Sequence, residues 1–89
     1  MRTIRRTSQF KRDVKRMKRR GKDLSKLKEV LEKIVDGQEL EGKYREHVLV
    51  GQYLGTRECH VEPDWLLLYE PTQSEVVLIR TGTHADLFE

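Results

Sequence analysis

Two apolar stripes with the spacing of α-helices occupy the first half of the chain. Phe10, Val14 and Met17 recur at i, i+4 and i+7, so they share one face of a helix that Gly21 can end. A second stripe follows, and its members are Leu24, Leu27, Leu31, Ile34 and Val35. Because the link between the two stripes is so short, the pattern predicts an antiparallel helical hairpin.

The second half has the patterns of β-strands. Residues 52–61 alternate, with Tyr53 and Cys59 on one predicted face and His60 on the other. Residues 65–70 form a nearly continuous apolar run, which is typical of a strand buried on both faces. A turn and the sequence EVVLIR follow, so the short connections predict antiparallel pairing. The N-terminal RTIRR is also compatible with a short strand.

These elements predict an α+β fold in which the N-terminal helical hairpin packs on one face of a small antiparallel sheet. Each helix has only one narrow apolar face, so both require a further surface to cover them. At 89 residues, the chain is expected to form one domain over residues 1–89.

The charge is strongly segregated although the net charge is only +3. Residues 1–22 contain 11 of the 18 lysines and arginines and a single acid, Asp13, whereas the remainder carries a net charge of −7. A dense cationic helix favours binding to nucleic acid or to an acidic protein, although such a face can also be merely solvated. The candidate contact residues are Lys11, Lys15, Lys18 and Arg19.

Three further absences narrow the class of protein. No apolar run approaches the length of a membrane span, and no apolar segment follows the basic N-terminus as in a secretory signal. A single cysteine cannot form an internal disulfide, so a cytoplasmic protein is expected. Cys59 itself is predicted to be a buried structural thiol, because it falls on the apolar side of its strand.

All three histidines lie in the second half, near strand ends or turns. A hairpin centred on residues 71–74 would bring His60 and Asp64 beside Arg80 and His84. Zinc is disfavoured because the histidine spacings match no metal motif. Cleavage of RNA by internal transfer suits the set, because imidazoles can exchange protons near neutral pH and a guanidinium can stabilise the phosphate. His47 is the remaining titratable candidate.

Two aromatic residues near this cluster are candidates for stacking on RNA bases. Trp65 follows Asp64 directly, and Phe88 lies near the C-terminus. Trp65 also opens the apolar run, so a place in the core is an equal alternative for it.

HVLVGQYLGTRECHVEPDWLLLYE together with RTGTHADLF resembles the YafQ branch of the RelE-like bacterial toxins, the toxin halves of type II toxin–antitoxin pairs. The opening TSQFKRDVKRMKRRGKDLSKLKEVL resembles the same branch, so the likeness covers nearly the whole chain. HVEPDW and RTGTH are its specific parts. The resemblance implies a RelE-like fold and cleavage of mRNA within the translating ribosome, without a metal or another cofactor.

The family's catalytic positions match this chain residue by residue. The resemblance implies catalytic roles for His47, His60, Asp64, Arg80 and His84 and RNA contacts for Trp65 and Phe88. His84 is expected to be the general acid and Arg80 to brace the phosphate, while His60, His47 and Asp64 remain alternatives for the base. Two minor departures are Val48, where a proline is common, and Leu54, where a lysine is common.

The implied partners are mRNA on the ribosome, ribosomal RNA and an acidic antitoxin, with operator DNA bound only through the antitoxin complex. The alternative function is a non-catalytic basic module that binds nucleic acid or an acidic partner and acts in transcriptional regulation. The clustered histidines separate the two hypotheses, because a simple binding protein does not require them.

Overall fold

A computed structural model describes residues 2–49 and 55–88, in which three helices pack against a five-stranded sheet. In chain order, the elements are β1 (Thr3–Arg6), α1 (Ser8–Arg19), α2 (Leu24–Val35), a 3₁₀ turn (Gly42–Tyr44), β2 (His47–Val48), β3 (Arg57–Glu62), β4 (Trp65–Pro71), β5 (Glu75–Gly82) and α3 (His84–Phe88). Within this part of the chain, no helix is long and apolar enough to cross a membrane.

The first predicted helix is confirmed, and local contacts define both of its ends. The Thr7 hydroxyl accepts a hydrogen bond from the backbone N–H of Phe10 at 3.0 Å, which satisfies one of the amides left unpaired at the start of α1. Phe10 and Met17 are buried. Gly21 follows the helix with φ +82°, a conformation that glycine adopts without strain.

The second predicted helix is also confirmed. Its N-cap is Asp23, whose carboxylate accepts from the backbone N–H of Ser25 at 3.0 Å. Leu27, Val30 and Ile34 bury the inner face of α2 in the same core that receives α1. The hairpin thus covers one face of the sheet, as its two stripes predict.

The sheet is mixed rather than purely antiparallel. Its strand order is β1-β5-β4-β3-β2, and the four strands from β2 to β5 pair antiparallel. Strand β1 instead pairs with β5 in parallel, with Ile4 beside Val76. Short turns determine the direction of consecutive strands only, and most of the chain separates β1 from β5.

Both faces of the central strand β4 are buried, as its continuous apolar run predicts. Trp65, Leu67 and Tyr69 face the main core beneath α1 and α2. Leu66 and Leu68 face a smaller cluster that is closed by Leu87 of α3. Helix α3 was not predicted, since five residues are too few for a helical periodicity to be recognised.

The predicted strand over residues 52–61 is confirmed in its second part. Strand β3 contains Cys59, which is fully buried, and burial raises the pKa of its thiol to about 12. Cys59 is therefore a structural thiol, as predicted. Tyr53 and Leu54 lie outside the described residues.

A buried carboxylate joins α1 to the edge of β5. The pairing with β1 ends at Leu78, and β5 continues beyond it. There Asp13, only 1% exposed, accepts hydrogen bonds from the backbone N–H of Thr81 at 3.2 Å and from Arg80 Nε at 2.7 Å. Arg16 contacts the same carboxylate at 2.9 Å. Helix α1 thus supplies the acceptor that a neighbouring strand would otherwise provide.

Replacing this carboxylate should destabilise the fold. We expect Asp13→Asn to lower the free energy of unfolding by about 3–5 kcal/mol, since it leaves a partly buried cation without its counter-charge. Urea unfolding followed by circular dichroism measures the change. Glu75→Gln is the control, because Glu75 pairs with Arg5 at 3.6 Å on the surface and should contribute less than about 1 kcal/mol. Equal effects of the two substitutions would contradict the assignment.

Candidate active site

The predicted catalytic residues lie at one end of the sheet, on four elements and one turn. His47 is on β2, His60 on β3, Asp64 in the turn after β3, Arg80 on β5 and His84 at the first position of α3. The strand register aligns His60 with Leu66 and Leu66 with Gly82, so β5 ends level with His60, on the other side of β4, and leads into α3.

Asp64 and His84 form the most directly connected pair in the site. One carboxylate oxygen of Asp64 accepts from the backbone N–H of His84 at 3.0 Å and lies 2.6 Å from His84 Nδ1. The backbone hydrogen bond, followed by the ring contact, lowers the pKa of the Asp64 carboxyl. A lowered folded pKa means that this contact stabilises the fold fully above the ordinary aspartate pKa, and the contribution disappears as the pH falls through the folded value.

His60 lies beside His84. The two ring centroids are 5.8 Å apart and the rings are inclined at 47°. His60 Nδ1 is buried and has no hydrogen-bond partner among the described residues. Two imidazoles are thus adjacent, but a carboxylate orients only His84.

His47 joins the site through a residue that the sequence reasoning missed. His47 and Glu58 are register partners on β2 and β3, and His47 Nε2 lies 2.8 Å from Glu58 Oε1. The Glu58 side chain is only 8% exposed and stands two residues before His60, on the same face of the strand. The sequence offered a weak indication of this role for Glu58, since strand alternation in RECHVE places Glu58 on the same face as His60.

Arg80 is held at its guanidinium by Asp13. Its Nε and Nη2 donate to the carboxylate at 2.7 and 3.1 Å, and its side chain is 19% exposed. Since Arg16 shares the same carboxylate, the group of three side chains retains a net positive charge. The signal that could have identified Asp13 was its isolation as the single acid among the first 22 residues.

The two aromatic candidates have different positions. Trp65 is fully buried, and its indole N–H donates to the Thr81 hydroxyl at 2.9 Å. The stacking prediction for Trp65 is therefore wrong and the core alternative is right, because the ring has no exposed face for a base. Phe88, at the end of α3, is 43% exposed.

The four basic candidates of α1, Lys11, Lys15, Lys18 and Arg19, are all exposed. The buried residues Phe10, Asp13 and Met17 fix the opposite side of the helix. The cationic face is thus available to a polyanion without disturbing the core.

The arrangement is suited to acid–base chemistry at a phosphodiester. Two adjacent imidazoles can accept and donate protons, and a fixed guanidinium can stabilise added negative charge. Among the described residues, no group of three or more histidine, cysteine or acidic side chains is placed to hold a metal ion.

Comparisons with known proteins place the chain in a family. The sequence profile described as bacterial toxin of type II toxin–antitoxin system, YafQ, matches residues 2–89. The mRNA interferase toxin YafQ of Escherichia coli strain K12 is 41% identical over 88 residues, covering 98% of this chain and 96% of that protein.

Comparison with solved structures agrees with these sequence matches. YafQ in the E. coli DinJ–YafQ complex has a TM-score of 0.93 at 40% identity and covers 100% of both chains. A metal-bound toxin from Helicobacter pylori has a TM-score of 0.92 at 37% identity, covering 99% of this chain and 100% of its own. With the fold and the full-length match in agreement, the chain belongs to the YafQ family of toxins from bacterial type II toxin–antitoxin systems.

Proposed function

We propose that the chain, as an mRNA interferase of the YafQ family, cleaves mRNA within the translating ribosome by general acid–base catalysis. The observation that carries the mechanism is the contact between Asp64 and His84, with His60 beside it. The proposal treats residues 1–89 as one toxin domain and assigns every proton transfer to a side chain, so it requires no metal ion or other cofactor.

The reaction requires three tasks. The ribose 2′-OH loses a proton as it attacks the adjacent phosphorus, and the 5′-oxygen of the next nucleotide gains one as its bond to phosphorus breaks. The products are a 2′,3′-cyclic phosphate and a free 5′-OH. Negative charge increases on the non-bridging oxygens between these events and must be stabilised.

His84 is the proposed general acid. The Asp64 carboxylate accepts a hydrogen bond from the Nδ1–H of His84 and fixes the ring. The other ring nitrogen, Nε2, is therefore the one that can present a proton to the leaving oxygen. The same carboxylate accepts from the backbone N–H of His84, which fixes the main chain and the ring together. Asp64 is therefore better suited to positioning His84 than to acting as the base.

His60 is the proposed base. Its ring centroid is 5.8 Å from that of His84, close enough for one phosphodiester to contact both rings. His47 is held by Glu58, which lies two residues before His60 on β3. His47 is proposed to relay the proton or to orient the ribose. Arg80 is proposed to brace the phosphate from the orientation that Asp13 fixes, and Phe88 to stack on a base.

The exposed cations of α1 are proposed to bind ribosomal RNA. A YafQ protein of E. coli is found in complex with DinJ. We propose that an acidic antitoxin encoded beside this chain binds and neutralises it. Binding to operator DNA would then occur only through the toxin–antitoxin complex. The proposed site of action is the cytoplasm, where translating ribosomes are found.

The activity should depend on His84. We expect His84→Ala to slow cleavage of ribosome-bound mRNA by about 10²–10⁴-fold, the usual contribution of a positioned acid. Primer extension on a translated message measures the rate, and growth arrest on expression gives a second readout. Gln73→Ala, in the exposed turn before β5, is the control. Full cleavage by His84→Ala would remove this residue from the mechanism, whereas no cleavage by the unaltered chain would favour a non-catalytic binding protein.

The basic face should govern ribosome binding. We expect Lys11→Glu, Lys15→Glu and Lys18→Glu together to weaken binding and to reduce the log–log salt slope by about 0.7–0.9 for each lost phosphate contact. Lys28→Glu on α2 is the control for a charge reversal at an exposed helical lysine. The variants should fold, because Phe10 and Met17 pack the inner face of α1. An unchanged salt slope would mean that the cationic face is only solvated.

A further inference from the structure

Helix α3 is too short to be stable alone, so contacts with the rest of the protein must fix its position. It has five residues and begins with His84, and helices this short are not stable in isolation. Leu87 anchors one side of α3 in the smaller apolar cluster, where it is 5% exposed. Leu87 is the buried residue of α3, so polar contacts on the rest of the helix help to set the direction of the His84 side chain.

A bidentate ion pair between α1 and α3 provides such contacts. Arg20, the C-cap residue directly after α1, donates from Nη1 to Asp86 Oδ2 at 2.6 Å and from Nη2 to Oδ1 at 3.0 Å. The Asp86 side chain is only 10% exposed. Arginine matches a carboxylate with two parallel hydrogen bonds, so the pair fixes orientation as well as distance.

Asp86 is also tied to the start of its own helix. Its Oδ2 accepts from the backbone N–H of Thr83 at 3.0 Å, and its own backbone N–H donates to the Thr83 hydroxyl at 3.1 Å. This reciprocal arrangement is a capping box. The Arg20 contact, followed by the Thr83 hydrogen bonds, holds the pKa of the Asp86 carboxyl well below its usual range. Asp86 thus remains ionised at any pH at which the ribosome is active.

The backbone at Gly82 leaves space for this carboxylate. A Cβ at position 82 would stand 2.9 Å from Asp86 Oδ2, closer than real Cβ atoms approach, and 3.0 Å from Asp86 Cβ, which is a tight contact. Gly82 also has φ +157°. The absence of a side chain at position 82 therefore leaves room for the Asp86 carboxylate at the end of β5.

We propose that Arg20 and Asp86 are positioning residues for RNA cleavage, which hold helix α3 against the end of α1 and thereby keep His84 opposite His60. The inference rests on the proposed role of His84 as general acid. Nothing in the mechanism requires Arg20 or Asp86 to touch RNA. Their effect should appear in the rate of the chemical step rather than in ribosome affinity.

The charges of the pair separate this proposal from simple RNA binding by Arg20. Arg20 follows Arg19 on the cationic side of α1, so Arg20→Ala could weaken a phosphate contact. Asp86→Asn removes a negative charge, which cannot weaken binding to a polyanion through charge alone. It retains an oxygen that can accept from Thr83 and mainly loses the ionic contact to Arg20.

The test is single-turnover cleavage of ribosome-bound mRNA over a range of ribosome concentrations. We expect Arg20→Ala and Asp86→Asn each to lower the saturating rate by about 10–100-fold, the order expected when a catalytic group is displaced by about 1 Å. The half-saturating ribosome concentration should stay unchanged for Asp86→Asn. Arg20→Lys should be intermediate, because an ammonium cannot form the bidentate contact. Arg5→Ala, which breaks the surface pair with Glu75, should leave the rate unchanged.

Combination with His84→Ala distinguishes the possible failures. If the pair acts through His84, Arg20→Ala should reduce the residual rate of His84→Ala by much less than it reduces the rate of the unaltered chain. Circular dichroism shows which variants are folded, and Arg20→Lys, which keeps the charge but loses the bidentate contact, tests the pair if Arg20→Ala or Asp86→Asn does not fold. Wild-type saturating rates for Asp86→Asn and Arg20→Ala would overturn the inference. Wild-type activity of His84→Ala would instead overturn the proposed function.

Discussion

The buried carboxylate of Asp13 is the constraint on which the rest of the site depends. It accepts a hydrogen bond from the backbone N–H of Thr81, on the part of the β5 edge that β1 does not cover. It also fixes Arg80 on the same strand. A carboxylate that is 1% exposed requires such partners, since an unpaired buried charge is strongly unfavourable. Helix α1 is therefore attached to the sheet at the point where β5 turns into α3. The basic face of α1 and the proposed active site are thus attached to the same part of the sheet.

Carboxylates also hold other parts of the proposed site. Asp64 fixes His84, Glu58 pairs with His47, and Asp86 ties α3 to α1. The acids that give the second half its negative charge thus include the groups that orient His84 and His47, whereas Asp13 from the first half orients Arg80. Such preorganisation suits a reaction whose catalysis depends on positioned proton donors and acceptors.

Local patterns predicted much of the fold and the site. Helical spacing identified α1 and α2, and the short turn over residues 71–74 placed β4 beside β5 and Asp64 near His84. The parallel pairing of β1 was not predictable in this way, because no local signal connects Ile4 with Val76. The contact between Asp13 and Arg80 spans 67 positions and depends on the packing of α1. Trp65 was ambiguous because an aromatic residue beside a site can serve either the core or the ligand.

The most direct test of the central claim is cleavage of an mRNA that carries sulfur in place of the bridging 5′-oxygen at the cut bond. A thiolate leaves without prior protonation, since thiols are far more acidic than alcohols. The account predicts that this substrate restores the single-turnover rate of His84→Ala to near that of the unaltered chain, while Arg80→Ala stays slow on both substrates. An equal defect of His84→Ala on the oxygen and sulfur substrates would contradict the assignment of His84 as general acid.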